Sequence, residues 1–94
     1  MNEKKLYTQA IHKWGMNAQL DMMVEECAEL IQAIQHSKRH RVGREIHEEL
    51  ADVEIMLGQM RCIFDERMID DSKRWKLERL AERLKVNYHR EMGK

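Results

Sequence analysis

Two acidic clusters hold the residues most capable of chemistry in this chain: Glu25-Glu26-x-x-Glu29 and, further on, Glu49-x-x-Asp52. On an α-helix, residues three apart lie about 60° apart around the axis, so Glu26 and Glu29 share a strip, as do Glu49 and Asp52. Met22 and Ala33 continue the first strip, and Met56 and Ile63 the second, so the carboxylates sit among apolar neighbours. Two antiparallel helices joined by a short connection can bring the strips face to face, and four carboxylates then converge. Like charges that close either raise one another's pKa or hold cations. A donor set of oxygens alone, without His or Cys, suits a hard cation such as Mg²⁺ or Mn²⁺. Magnesium keeps several waters and commonly shares its coordination with phosphates, which points to phosphate-ester or phosphoanhydride chemistry.

The elements that must position these groups are legible in the hydrophobic pattern. The 94 residues contain no proline and four glycines, and helix formers dominate. The expected fold is all-α, a single domain over residues 1–94 with four helices. The first spans about 2–14 and stops at Gly15, a natural C-terminal position. The second begins near Asn17 as N-cap and runs to about 37, with a stripe of Leu20, Met23, Val24, Cys27, Ile31 and Ile34. A basic connection at 38–44 leads to the third, about 44–67, with Ile46, Leu50, Val53, Leu57 and Met60. Asp70, Asp71 or Ser72 is expected to cap the fourth, whose stripe is Trp75, Leu77, Leu80, Leu84 and Tyr88. Helices two and three also carry Met22, Leu30, Ala33, Ile55, Met56 and Ile63 outside those stripes. Four helices of this size cannot cover both apolar sides, so the bundle is expected to be completed by dimerisation, as a homodimer or a dimer of dimers.

Composition narrows the partners. Lys plus Arg and Asp plus Glu number 17 each, so no net basic surface argues for nucleic acid. No apolar run approaches the roughly 20 residues of a membrane span, and no signal-peptide core is present. Cys27 and Cys62 lack CxxC spacing and read as small buried hydrophobes, which suits a cytoplasmic protein.

The stretch Trp14-Gly15-x-x-x-Gln19-x-x-Met22-x-x-Glu25-Glu26-x-x-Glu29-Leu30, followed by Glu48-Glu49-Leu50-Ala51-Asp52-Val53, resembles the MazG-like all-α nucleoside triphosphate pyrophosphohydrolases. That superfamily also includes dimeric dUTPases and phosphoribosyl-ATP pyrophosphohydrolases. Its pattern is EExxE followed by ExxD; here nineteen residues separate Glu29 from Glu49, and the likeness covers about residues 10–90. The resemblance implies that Glu26, Glu29, Glu49 and Asp52 are metal ligands and that a (d)NTP is cut between its α and β phosphates. It also implies a helical dimer or dimer of dimers. Glu25 lies off the ligand strip and is a candidate to orient a ligand or accept a proton. Lys76, Arg79 and Arg83 share a face of helix four, and similar basic residues contact substrate phosphates in relatives. Trp14 is a candidate to stack on a base and Gln19 to hydrogen-bond a base or sugar.

Several alternatives meet specific obstacles. A di-iron bundle requires Glu-x-x-His pairs, and no histidine here lies three residues after a glutamate. His47-Glu48 begins like a zinc-protease HExxH, but position 51 is Ala. Within the superfamily, the Trp-Gly…Gln lead-in looks more MazG-like than phosphoribosyl-ATP pyrophosphohydrolase, and a dimeric dUTPase usually has a longer chain. A non-enzymatic helical interaction module accounts for amphipathic helices and oligomerisation but not for paired acids on apolar strips.

Overall fold

The computed structural model describes residues 1–40 and 44–88, without the side chains of His40 and Arg44. Among the described residues there are four α-helices and no strand: α1 (Glu3–Trp14), α2 (Met16–His40), α3 (Arg44–Ile63) and α4 (Glu66–Leu84). The expected all-α class is observed. The chain divides into two compact units, Met1–Phe64 and Asp65–Lys94.

Local chemistry sets most helix ends. Asn2, in extended conformation, caps α1 by accepting the Lys5 N–H at 2.9 Å. Gly15 ends α1 with φ of 94° and ψ of 153°, a region open essentially to glycine alone, and donates its N–H to the Ile11 carbonyl at 2.8 Å. The same glycine accepts the Gln19 N–H at 3.2 Å, so one residue closes α1 and opens α2. Asn17 therefore falls inside the first turn of α2 and is not its N-cap. The third helix stops at Ile63, short of the expected 67, because Asp65 caps α4: its carboxylate accepts the Met68 N–H at 3.2 Å. Asp70, Asp71 and Ser72 lie within α4. At the far end Lys85, left-handed at φ 58°, donates to the Glu82 carbonyl while Val86 donates to Ala81, which satisfies the last carbonyls.

In the first unit α2 and α3 run antiparallel. From Gln19 to Glu26 on α2, the partners on α3 recede from Gln59 to Asp52, seven residues each way. α1 packs on both helices and most closely on α3. A Cβ at position 58 would run into the Tyr7 ring, so Gly58 is what lets α1 and α3 approach.

The buried apolar side chains of this unit are Ala33, Val53, Met56 and Met60, with Gln19 and Gln59 as buried polar ones. The apolar stripe expected on helix two is therefore not the seam with α3. Leu20, Met23 and Cys27 are half-buried, while Val24 and Ile31 stay 69% and 61% exposed. The seam is rotated onto the strip of Gln19, Met22, Glu26, Glu29 and Ala33, of which Gln19 and Ala33 are buried. On α3, Val53 and Met60 are buried as expected, but Leu50 and Leu57 are exposed.

In the second unit α4 buries Ala81 and half-buries Leu77, while Trp75, Leu80, Leu84 and Tyr88 of its expected stripe are exposed. Tyr88 lies beyond the helix.

Candidate functional site

The α2–α3 seam reads as successive layers because both helices contribute a residue every three or four positions. Gln19 meets Gln59 through a side-chain hydrogen bond, donated by the Gln19 amide nitrogen to the Gln59 carbonyl oxygen. Farther along, Glu26 of α2 meets Glu49 and Asp52 of α3. Each of these three offers a carboxylate oxygen within 4.8 Å of the others. Two rigid rods thus present the acids at fixed register, as the strips of the sequence require.

The electrostatics of this layer are unfavourable without a cation. Glu26 and Glu49 are half-buried, and one oxygen of each, Oε2, is shielded from solvent with no hydrogen-bond partner. Such an orphaned carboxylate oxygen is costly to bury. Burial raises the Glu26 pKa above the usual carboxylate value, and the neighbouring Glu29, Asp52, Glu49 and Glu25 raise it further. Burial likewise raises that of Glu49, helped by Glu29, Asp52, Glu48 and Glu45. A divalent cation relieves both problems, since it supplies the partner of the orphaned oxygens and cancels the mutual repulsion. The donors are oxygens throughout, so the residues present fit a hard cation.

The other expected site residues fall in three places. Glu29 is exposed and close enough to load both Glu26 and Glu49, but it is not one of the three whose oxygens converge. Glu25 is exposed and lines a groove of about 630 Å³, together with Trp14, Gln19, Met22, Met56 and Gln59. Trp14 is 60% exposed, with the Lys13 ammonium 5.6 Å from its ring centre, so it is groove wall and not core. Lys76, Arg79 and Arg83 lie on α4 in the second unit. Arg79 stacks on Trp75 at 4.8 Å, and Lys76 and Arg83 are exposed.

A second groove, of about 570 Å³, opens on the far side of the acidic layer, between the C-terminal half of α2 and the start of α3. Glu29, His36, Arg39, Glu45 and Glu49 line it. Of the basic connection at 38–44, residues 41–43 lie outside the described residues. Gln59 and the groove position of His36 escaped the sequence reading. Extending the α3 strip beyond Asp52 by the same three-four spacing reaches Met56 and then Gln59, so the signal for Gln59 was present.

Comparison with known proteins agrees with the chemistry of the acidic layer. No curated protein and no solved structure matches the chain. The MazG nucleotide pyrophosphohydrolase domain matches over residues 15–86, a span that contains both acidic strips and the whole of α2, α3 and α4. That family acts on nucleotides and is generally dependent on a divalent metal. With the match covering more than half of its length, the chain belongs to the MazG nucleotide pyrophosphohydrolase domain family.

Proposed function

We propose that this protein is a Mg²⁺-dependent nucleoside triphosphate pyrophosphohydrolase that converts a (d)NTP and water to a (d)NMP and pyrophosphate. The observation that carries the reading is the pair of solvent-shielded, unpartnered oxygens on Glu26 and Glu49, beside Asp52 in one seam. Glu26, Glu49 and Asp52 hold the cation, with Glu29 as a further ligand on the same strip; Mn²⁺ can replace Mg²⁺ on the same oxygen donors. When bound, a divalent cation neutralises phosphate charge and lowers the pKa of a coordinated water. A water oxygen attacks the α-phosphorus, the bond to the α–β bridging oxygen breaks so that pyrophosphate leaves, and Glu25 at the groove rim accepts the proton. Lys76, Arg79 and Arg83 bind phosphate oxygens, while Trp14 and Gln19 receive the base.

Three further features belong to this reading. The family match runs across the junction at Phe64 and Asp65, which supports one functional domain built from both units. Exposed Val24, Ile31, Leu50 and Leu57 on the two site-bearing helices support a homodimer or homotetramer. The proposed role is clearing the nucleotide pool in the cytoplasm; no described helix is long and apolar enough to cross a membrane.

The test is pyrophosphate release from a panel of natural and modified triphosphates, coupled to inorganic pyrophosphatase, with and without Mg²⁺. Wild-type protein is expected to release pyrophosphate only with the cation. Glu49→Gln is expected to lose at least about a hundredfold in kcat/KM at unchanged helicity, since a cation contributes several kcal/mol of charge stabilisation. Full activity in Glu49→Gln would remove the acidic layer from the mechanism.

A further inference from the structure

The groove beside the acidic layer has a wall that includes two amides bonded to each other. Gln19 and Gln59 are each 5% exposed, line the groove, and are bonded to each other through their side-chain amides. As oriented, Gln19 spends an amide hydrogen and keeps its carbonyl oxygen, while Gln59 spends a carbonyl lone pair and keeps its whole amino group. The oxygen and nitrogen of an amide are nearly the same size. If both amides turn by half a rotation, the bond survives with donor and acceptor exchanged. Gln19 then shows its amino group and Gln59 its carbonyl. In either arrangement the wall carries one acceptor beside one donor, and only their order changes.

That property matches one difference among nucleobases. An amino base presents an exocyclic donor beside a ring-nitrogen acceptor. The corresponding oxo base, one deamination away, presents an exocyclic acceptor beside a ring N–H donor. The two edges are the same pattern in opposite order. Trp14 supplies an exposed aromatic face on which either base can stack, and Met22 and Met56 supply polarizable thioethers. The groove starts about one helical turn from the acids, since Met22 precedes Glu26 by four residues and Met56 follows Asp52 by four. A nucleotide can therefore keep its base in the groove and its phosphates at the acidic layer.

We propose that the coupled Gln19–Gln59 amide pair reads the base edge and, by turning in concert, admits amino and oxo bases alike. The inference rests on the hydrolase reading above and adds Gln59 as a specificity-determining residue. Its substrate class is nucleoside triphosphates irrespective of the amino-to-oxo exchange. A wall of fixed polarity behaves differently: a site built to hydrogen-bond one pattern rejects the other by on the order of 10⁴-fold, because its buried polar groups are left unpaired.

The experiment is kcat/KM of the full chain with Mg²⁺ for dCTP against dUTP and for dATP against dITP. The two members of each pair are expected to agree within about tenfold, the equivalent of 1.4 kcal/mol. A ratio above about a hundredfold in either pair, with turnover intact, overturns this inference and leaves the hydrolase reading standing. Absence of turnover with all four substrates overturns both. In Gln59→Glu the new side chain accepts only, so Gln19 must donate to it and the wall shows an acceptor from each residue. Neither base edge then finds both partners, and kcat/KM should fall by about tenfold or more for all four substrates. Unchanged kcat/KM overturns the inference. Gln59→Met, which keeps length and removes both polar atoms, should lower kcat/KM for the two members of each pair by similar factors of about ten. A variant as active as wild type overturns the contact.

Discussion

Two polar layers interrupt the α2–α3 seam about 10 Å apart, and they meet burial in opposite ways. At Gln19 and Gln59 both side chains are almost wholly buried, and they are bonded to each other. At Glu26, Glu49 and Asp52 the groups are less buried, yet two oxygens have no partner and two pKa values are pushed up. The difference is one of hydrogen-bonding inventory. An amide carries donors and an acceptor and can complete its own pair. Ionised carboxylates only accept, so a layer of them needs something external. The two amides find partners in each other, while two carboxylate oxygens of the acidic layer find no donor in the chain.

The sharpest break of that contrast is to turn the acidic layer into an amide one. Glu26→Gln should cost at least about a hundredfold in kcat/KM with Mg²⁺, because the proposed cation site loses a ligand and its charge. The same variant in EDTA should melt higher than wild type, since a repelling buried carboxylate has become neutral. A lower Tm in EDTA would mean that the layer is balanced without a cation. The converse change breaks the amide layer. Gln19→Leu leaves Gln59 buried without its partner and should destabilise the chain by about 1–3 kcal/mol in urea unfolding, with or without EDTA. An unchanged midpoint would show that the pair contributes no net stability.

The smallest effect expected is in pH dependence. The folded pKa values of Glu26 and Glu49 lie above the unfolded value of 4.5, so the fold disfavours their ionised forms. Stability linked to these two groups is fully present below the unfolded value and is lost as pH rises through the folded ones. In EDTA, the double variant Glu26→Gln, Glu49→Gln should therefore gain most over wild type near neutral pH, and the gap in Tm should narrow as pH falls toward about 5. Saturating Mg²⁺ should reverse the sign, with wild type the more stable at neutral pH. A gap independent of pH would break the assignment of the repulsion to these carboxylates.

Much of this is legible in the sequence. Three-residue spacing put Glu26 with Glu29 and Glu49 with Asp52, and Met22, Ala33 and Met56 marked those strips as semi-buried. The order and spacing of the two motifs carried the family. Other features were ambiguous for physical reasons. Asp70, Asp71 and Ser72, which the sequence offered, and Asp65 can all cap a helix through the same kind of side-chain oxygen. The choice fell to Asp65, whose carboxylate reaches the Met68 N–H. α2 is apolar on more than one side, so periodicity favoured Leu20, Val24 and Ile31, whereas the helix packs through Gln19 and Ala33.

By itself, then, the sequence determined what is local: helical segments, acids held one turn apart on each strip, and a donor set fit for a hard cation. Helical geometry relates only residues a few positions apart, so it cannot set the register between helices. The tertiary structure decided that register. It put Asp52 and Glu49 against Glu26 and left Glu29 at the margin, and it paired Gln19 with Gln59 forty residues away. Which side of each helix is buried, Ala33 on α2 or Gly58 against Tyr7 on α3, is a property of packed shapes and not of any single helix.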